Sequence, residues 1–314
     1  MLRIDGKRLG DSQRPYIIAE ASGNHHRDYA TAEQLVCAAA KAGADAIKFQ
    51  SFEASDICAD VPILTGYDAA HDAWIQSLGV TRLRELFALG GLPRAWHAPL
   101  KALAEQQDIA FLSTPFSVDA ARFLVEEVGV PALKIASGDL TFAPLLAYAA
   151  STRLPVILST GGATFSEIQE AYHLFYHALW PPVFMHCVSA YPCEDVWTNL
   201  RAIKTIRDRF SWLCGFSDHT LSTDLVPALA VAMGATVIEK HLRLADDTTS
   251  VDAAHSLTPS QFRQMVDVIR IVPAILGDGV KTPHVSEMHD RKWARRSPVD
   301  WLRPTEEARA GHWE

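Results

Sequence analysis

A (β/α)8 TIM barrel in a single domain is the fold that this chain predicts. Three observations carry the prediction. Eight short apolar runs alternate along the sequence with helical segments, and no repeat or low-complexity stretch interrupts them. The 314 residues accommodate one barrel of about 250 residues with extras. Polar residues gather where the runs end, which in a barrel is the rim that carries the chemistry. An open doubly wound sheet is the alternative, but eight consecutive units fit closure better. The barrel and a short N-terminal hairpin are expected over residues 1–276, and a linker-like tail over 277–314.

Residues 2–9 alternate around Asp5-Gly6 and predict that hairpin. Tyr16-Ile-Ile-Ala19 is the first barrel strand and ends at Glu20; the helix after it stops at Gly43. Ala46 to Gln50 is the second strand, followed by an irregular insertion from Ser51 to Tyr67. Insertions after a strand's C-terminal end usually serve function. Helical material runs on to Ala88, and another helix from Pro93 to Gln107. Ile109 to Thr114 is the third strand, and Ser117 caps a helix that ends at Gly129. Ala132 to Ile135 and Pro155 to Leu158 are the fourth and fifth, with a capping box at Thr164-Phe-Ser-Glu167. Val183 to His186 is the sixth.

The last two strands lie within Trp212 to His241, the stretch around which the rest is organised. Cys214-Gly-Phe216 runs into Ser217-Asp-His219, and Val237-Ile238 runs into Glu239-Lys-His241. One helix separates them, with Ser222 as its cap. Leu225, Leu229, Val231 and Met233 give it apolar content, and Gly234 lies just past its end. Thr258-Pro-Ser-Gln261 opens a final helix with a cap, an N1 proline and an N3 glutamine.

Composition narrows the function classes. A hydrophobic content of 48% and a mean hydropathy of +0.03 describe a globular chain. A formal net charge of −8 leaves no electrostatic footprint for nucleic acid, and the basic residues Arg291-Lys292 and Arg295-Arg296 read as a solvated face. Nothing approaches a membrane span or a signal-peptide core. Five cysteines without a Cys-x-x-Cys, two of them in expected core strands, suit reduced thiols in the cytoplasm.

The rim residues are Glu20, Lys48, Gln50, Thr114, Lys134, Ser137, Ser159, Thr160, Tyr191, Ser217, His219, Glu239 and His241. Strand, helix, strand makes the two histidine-ending strands parallel neighbours. Taken singly, each histidine reads as a strand end bonding a carbonyl. Paired on adjacent ends beside carboxylates, His219 and His241 suit a divalent metal with open positions. Lys134 in a buried strand needs an anion, and Ser137-Gly138 and Ser159-Thr-Gly-Gly162 offer hydroxyls and close backbone approach for a phosphate. A salt bridge of Lys134 with Asp139 or Glu20 is the plainer alternative. Lys48 and Gln50 share one face of their strand, as do Glu239 and His241, so a polar ligand is expected above the packed interior. Glu239 could orient a metal-bound water or pair with Lys48 or Lys240. Asp252 and His255 lie in a polar loop and by themselves indicate nothing.

Taken together these residues resemble the sialic acid synthase (N-acetylneuraminate synthase) family, from about Arg14 to Pro298. The resemblance rests on Ile17-Ile-Ala-Glu20 with Asn24-His25, Gly43-Ala-Asp-Ala-Ile-Lys-Phe-Gln50, Phe111-Leu-Ser-Thr-Pro-Phe116 and Lys134-Ile-Ala-Ser-Gly138. It continues through Leu158-Ser-Thr-Gly161, His186-Cys187 with Tyr191-Pro192, Gly215-Phe-Ser-Asp-His-Thr220, Glu239-Lys-His241, and Gly277-Asp-Gly-Val-Lys281 with Arg295-Arg-Ser297. It implies an enzyme that condenses phosphoenolpyruvate with an aldose to a 2-keto-3-deoxy acid and phosphate, and a homodimer. It implies Mn²⁺ or Mg²⁺ on His219 and His241. Phosphoenolpyruvate would lie on Thr114, Lys134, Ser137, Ser159 and Ser217, with Ser189 as a polar neighbour. The sugar would face Lys48, Gln50, Tyr191 and Asp252, and Glu20 or Glu239 would take a proton.

The chain also departs from that pattern. Asp139 replaces the usual Glu, His26-Arg27 the usual Asn-Gly, Gly162 a common Met, and Ser250-Val251 the usual Gly-Pro before Asp252. The family pattern continues into an antifreeze-like domain that delivers an arginine to the N-acetyl group. Only fourteen residues follow Asp300 here, so an acceptor other than N-acetylmannosamine is expected; for the tail itself a frayed terminus is expected, with a surrogate lid anchored on Trp301, Arg303 and Trp313 as the alternative. A metal-dependent barrel hydrolase would want His-x-His after the first strand, where His25-His26 are adjacent instead. A non-catalytic sugar-phosphate binder would have no need of both histidines and Lys134.

Overall fold

Apolar runs too short for helices and flanked by helical segments have one way to bury both faces, as parallel strands under a layer of helices. The computed structural model describes residues 2–10, 14–66, 69–210 and 213–311 and shows that arrangement. An antiparallel hairpin pairs β1 (Arg3–Ile4) with β2 (Lys7–Arg8), turning at Asp5 and Gly6, both at positive φ. Eight parallel strands follow: β3 (Tyr16–Glu20), β4 (Ala46–Ser51), β5 (Ala110–Pro115), β6 (Leu133–Ile135), β7 (Val156–Ser159), β8 (Val183–Cys187), β9 (Cys214–Asp218) and β10 (Ala235–His241). Their order is β5-β4-β3-β10-β9-β8-β7-β6, and β5 lies against β6, so the sheet curls into a barrel with one seam.

The core is double, as barrel parity requires. Ile17, Ile47, Phe49, Phe111, Leu133, Leu158, Phe184 and Phe216 pack outward under the helices. Ile18, Ala46, Leu112, Ile157, Met185 and Val237 fill the barrel, and Leu2, Ile4 and Leu9 of the hairpin segment join that same cluster.

The caps follow the sequence with one correction. Asp28, Ser117 and Thr164 accept hydrogen bonds from their helices' first turns, Glu167 closes a capping box, and Thr258 with Gln261 does the same. The helix before β10 starts at Leu225, and its N-cap is Asp224 rather than Ser222. The Ser222 hydroxyl, two residues before that cap, still accepts from the Val226 N–H at 3.2 Å. That helix buries Val226, Ala230 and Val231, whereas Leu225, Leu229 and Met233 are exposed. Gly234 turns with φ +99°, open only to a residue without Cβ strain. The Ser51–Tyr67 insertion holds a one-turn helix, Ala54–Ile57, and a bridge from Pro62 to Arg82; Tyr67, like Trp212 and Trp313, falls outside the described residues.

The chain divides into two units, Met1–Ile275 and Leu276–Glu314. The second has structure of its own: helices at Met288–Ala294 and Glu306–Arg309, an Arg309–Asp300 ion pair, and Ser297 bonded to the Leu302 carbonyl at 2.8 Å. Among the described residues no helix is long and apolar enough to cross a membrane.

One buried ion pair sets the register that matters most. Lys240 of β10 and Asp218 of β9 are ladder partners, fully buried, with Nζ and carboxylate 2.8 Å apart. They point away from the barrel interior, so Ser217, Glu239 and His241 point into it. Removing one partner strands the other charge in apolar surroundings. Lys240→Met is expected to cost about 3–5 kcal/mol by urea unfolding, with Asp218→Leu in the same chain recovering much of the loss.

Candidate active site

The rim is assembled from the ends of all eight barrel strands. Glu20 ends β3 and Lys48 lies beside it on β4, in ladder register. Lys48 forms a close ion pair with Glu20, donates to Thr114 Oγ1 at 2.8 Å, and lies 3.7 Å from Glu239. Glu239 is 3.5 Å from Lys134 of β6. Four buried charges therefore alternate in sign: Glu20, Lys48, Glu239, Lys134. Lys134 pairs with Glu239, not with the Asp139 or Glu20 that sequence offered as alternatives.

This arrangement separates the two carboxyls. Burial raises both, but Glu239 faces two ammonium groups, Lys134 and Lys48, which bring it below the usual carboxylate range. Glu20 is pushed up to about 7, because burial and the neighbouring Glu239 outweigh Lys48. Burial lowers the Lys134 ammonium, with Glu239 opposing it. At neutral pH Glu239 is thus the fixed anion and Glu20 the group that exchanges a proton. Gln50 donates to Glu20 at 3.1 Å and to Ser22 at 2.8 Å, so its amide holds the Glu20 side chain.

Beside Lys134 the strand-end loops converge. Ser137 accepts from the Gly161 N–H at 2.9 Å and touches Cys187 Sγ at 3.2 Å. A Cβ on Gly161 would collide with Ser189 and stand 2.9 Å from Cys187 and 3.0 Å from Ser137. The bare glycine keeps these groups together. Ser159 Oγ is buried and has no hydrogen-bond partner among the described residues. Lys134 and this cluster form a donor set chemically suited to a phosphate or carboxylate.

Across the rim the histidines group around Tyr191. Its ring centroid lies 4.3 Å from His219, 5.0 Å from His255 and 6.5 Å from His241. His219 and His241 are neighbours at 5.8 Å. His219 Nδ1 bonds the Val188 carbonyl at 2.7 Å, which leaves Nε2 for the site. Burial holds His219 near 4 and lowers His241 and His255, so all three imidazoles are neutral, the ligating form.

Sequence reasoning set His255 aside as a loop residue; the structure buries it. Its ring lies 4.5 Å from that of His241, and donor atoms of His241, Asp252 and His255 fall within 4.8 Å of one another. The signal available in the sequence was Asp252-x-x-His255, one 3-10 turn with both side chains on one side. Asn24 pins this loop by donating to Leu242 O at 2.8 Å and Ser256 Oγ at 2.9 Å and accepting from Ser250 at 2.7 Å, and Gly23 N–H donates to Asp252 at 3.1 Å. Ser217 links the halves, 3.4 Å from Glu239 and 3.5 Å from His219. Ser189 is exposed at the edge, and Tyr191 is half exposed above the histidines.

The NeuB family model matches residues 35–281. The chain is 40% identical over 301 residues to the uncharacterised protein MJ1065 of Methanocaldococcus jannaschii, covering 95% of this chain and 82% of that one. It is 38% identical to the N,N'-diacetyllegionaminic acid synthase of Legionella pneumophila, over 94% of this chain and 83% of the relative. The structure of the N-acetylneuraminic acid synthetase from Leptospira borgpetersenii, in complex with citrate, superposes with a TM-score of 0.80 at 32% identity, covering 92% of this chain and 94% of that one.

The raised Glu20 carboxyl has a stability signature. A carboxyl raised from 4.5 to about 7 contributes stability that is fully present below 4.5 and is lost as pH rises through 7. Wild-type stability minus that of Glu20→Gln should therefore fall by about 3 kcal/mol between pH 4 and pH 8, at 1.36 kcal/mol per pH unit. Urea unfolding across that range measures it; a difference that does not fall would place the raised carboxyl elsewhere.

Proposed function

The chain belongs to the NeuB family, and on that premise we propose how its rim condenses phosphoenolpyruvate with an aldose to a 2-keto-3-deoxy sugar acid, releasing phosphate. The reaction makes it a C–C bond-forming transferase, as for the synthase relatives. The observation that carries the assignment of roles is the alternating row of Glu20, Lys48, Glu239 and Lys134, with an anion pocket at one end and a histidine cluster beside it.

Phosphoenolpyruvate lies on Lys134, Ser137, Ser159, Ser217 and Thr114, with the Gly161 N–H and Ser189 at the pocket's edge. The unpartnered Ser159 hydroxyl and the lowered Lys134 ammonium gain an anionic partner on binding. The aldose lies toward Lys48, Gln50, Tyr191 and Asp252. His219 and His241 hold a divalent cation, Mn²⁺ or Mg²⁺, which when bound supplies a Lewis acid for the aldehyde oxygen. Donor chemistry fits: two buried neutral imidazoles, one oriented by a carbonyl, with His241 Nδ1 lacking any protein partner.

C3 of phosphoenolpyruvate attacks the aldehyde carbon, and the positive charge at C2 develops beside ionised Glu239. Water adds to C2 and gives its proton to Glu20, the carboxyl raised to about 7. Glu20 passes that proton to the alkoxide left at the former aldehyde carbon. The tetrahedral adduct expels phosphate by C–O cleavage toward Lys134 and the serine cradle, the C2 hydroxyl's proton leaving with the phosphate as C2 becomes the ketone. Assigning the base to Glu20 rests on its separation from Glu239, which both lysines keep ionised.

The relative named for N,N'-diacetyllegionaminic acid supports an acceptor other than N-acetylmannosamine. Residues 1–276 form the catalytic part, working in the cytoplasm as a homodimer.

Phosphoenolpyruvate carrying ¹⁸O in its bridging position should release phosphate that retains the label, because water attacks C2; label left in the keto acid overturns the roles of Lys134 and Ser159. Glu20→Gln should lower turnover by about 10²–10⁴-fold and remove the rising limb near pH 7 from the rate profile. On an aldose panel followed by phosphate release, N-acetylmannosamine should be a poor acceptor; efficient turnover of it would overturn that preference.

A further inference from the structure

We infer that His255, together with Asp252, supplies further protein ligands to the cation beside His241, making this a site that takes a first-row transition ion such as Mn²⁺ or Co²⁺ in preference to Mg²⁺. The inference deepens the metal reading above and rests on it. The geometry points to a ligand in three ways. The donor atoms of His241, Asp252 and His255 all lie within 4.8 Å of one another, near enough for modest side-chain rotation to bring them onto one first-row ion with bonds of about 2.1 Å. His241 Nδ1 and His255 Nε2 are both buried and have no hydrogen-bond partner in the protein, although Asp252 Oδ1 stands only 3.4 Å from His255 Nε2. Buried polar atoms left unpaired cost about 1–3 kcal/mol each, so two of them on imidazoles grouped with one carboxylate are better explained by a shared ligand than by packing.

The loop carrying these groups is also built to stay. Asn24 holds both of its ends, through Leu242, Ser250 and Ser256. Ser256 donates to the Asp252 carbonyl at 2.6 Å, and Leu257 N–H returns to the His241 carbonyl at 2.9 Å. Asp252 keeps its second oxygen on the Gly23 N–H, the outer contact that orients a ligating carboxylate. Added to His219, the pair of imidazoles and the carboxylate on this floor favour borderline ions over Mg²⁺, which prefers oxygen donors and retains its waters. His255 therefore binds and selects the ion.

The test titrates Co²⁺ and Mg²⁺ into chelator-stripped full-length protein without substrates, reading visible absorption and calorimetry. Wild type should bind one Co²⁺ and prefer it to Mg²⁺. His255→Gln and His255→Ala should weaken Co²⁺ by about 100-fold or more, beyond the 10–100-fold cost of disturbing an outer-sphere partner, and narrow the preference. Each should also change the d–d spectrum, with unfolding midpoints of the stripped proteins close to wild type. If both variants bind Co²⁺ like wild type while His241→Ala does not, the metal site stands and His255 is not a ligand. If wild type binds no stoichiometric ion, the metal reading and this inference fall together.

Discussion

Everything at the rim depends on four charges being buried next to one another. Each ion withdrawn from water costs several kcal/mol even after relaxation, and a lone one would titrate away or unfold its strand. Glu20, Lys48, Glu239 and Lys134 avoid that by alternating in sign across β3, β4, β10 and β6. With Glu20 ionised the row is neutral as a whole, but it is uneven along its length. Glu239 sits between two ammonium groups and is held ionised, whereas Glu20 has one close cation and a like charge beyond it. Two carboxyls of the same chemistry thus differ in protonation, and the difference comes from position in the row. Lys134 ends the row, paired on one side only, and there the phosphate proposed above would supply the next negative charge.

Holding such a row requires strands that cannot slip, because a one-residue shift sends every side chain to the other face. The Lys240–Asp218 pair performs that service on the outer face of β9 and β10. Lys240 also donates to the Thr220 hydroxyl at 3.3 Å, and Asp218 accepts from the Thr220 N–H at 2.8 Å, so the turn after β9 is tied to the same pair. His219 follows directly, and its Nδ1 bond to the Val188 carbonyl adds β8's loop to the assembly. The sequence Asp218-His219 beside Lys240-His241 thus reads as structure and chemistry in alternate positions.

Much of this was legible in the chain because it is local. Strand ends, the Thr164–Glu167 and Thr258–Gln261 boxes and the glycines at 43, 129 and 234 depend on a few neighbouring residues, and each is where pattern and backbone chemistry put it. The cap expected for the helix before β10 lies two residues early, since Ser222 and Asp224 are both competent caps and only tertiary packing chooses between them. Its apolar residues also misled. Leu225, Leu229 and Met233 recur every four positions, yet the buried side carries Val226, Ala230 and Val231, since hydrophobic content alone does not say which stripe faces the sheet. The partner of Lys134 was beyond sequence for a different reason: Glu239 lies more than a hundred residues away, and barrel closure alone brings them together.

His255 shows the same limit from the opposite side. A histidine in a run of Asp, Thr and Ser has no periodicity to place it, so composition argues for water. What buries it is Asn24, on a different loop, whose amide fastens the far segment at Leu242, Ser250 and Ser256. Asn24 is therefore legible as a positioning residue only after the fold is known: its two donors and one acceptor are all spent on that loop. The consequence is physical. A loop with both ends tied to the barrel loses little further entropy when its side chains gather around a ligand, so Asp252 and His255 are preorganised beside His241 rather than recruited to it.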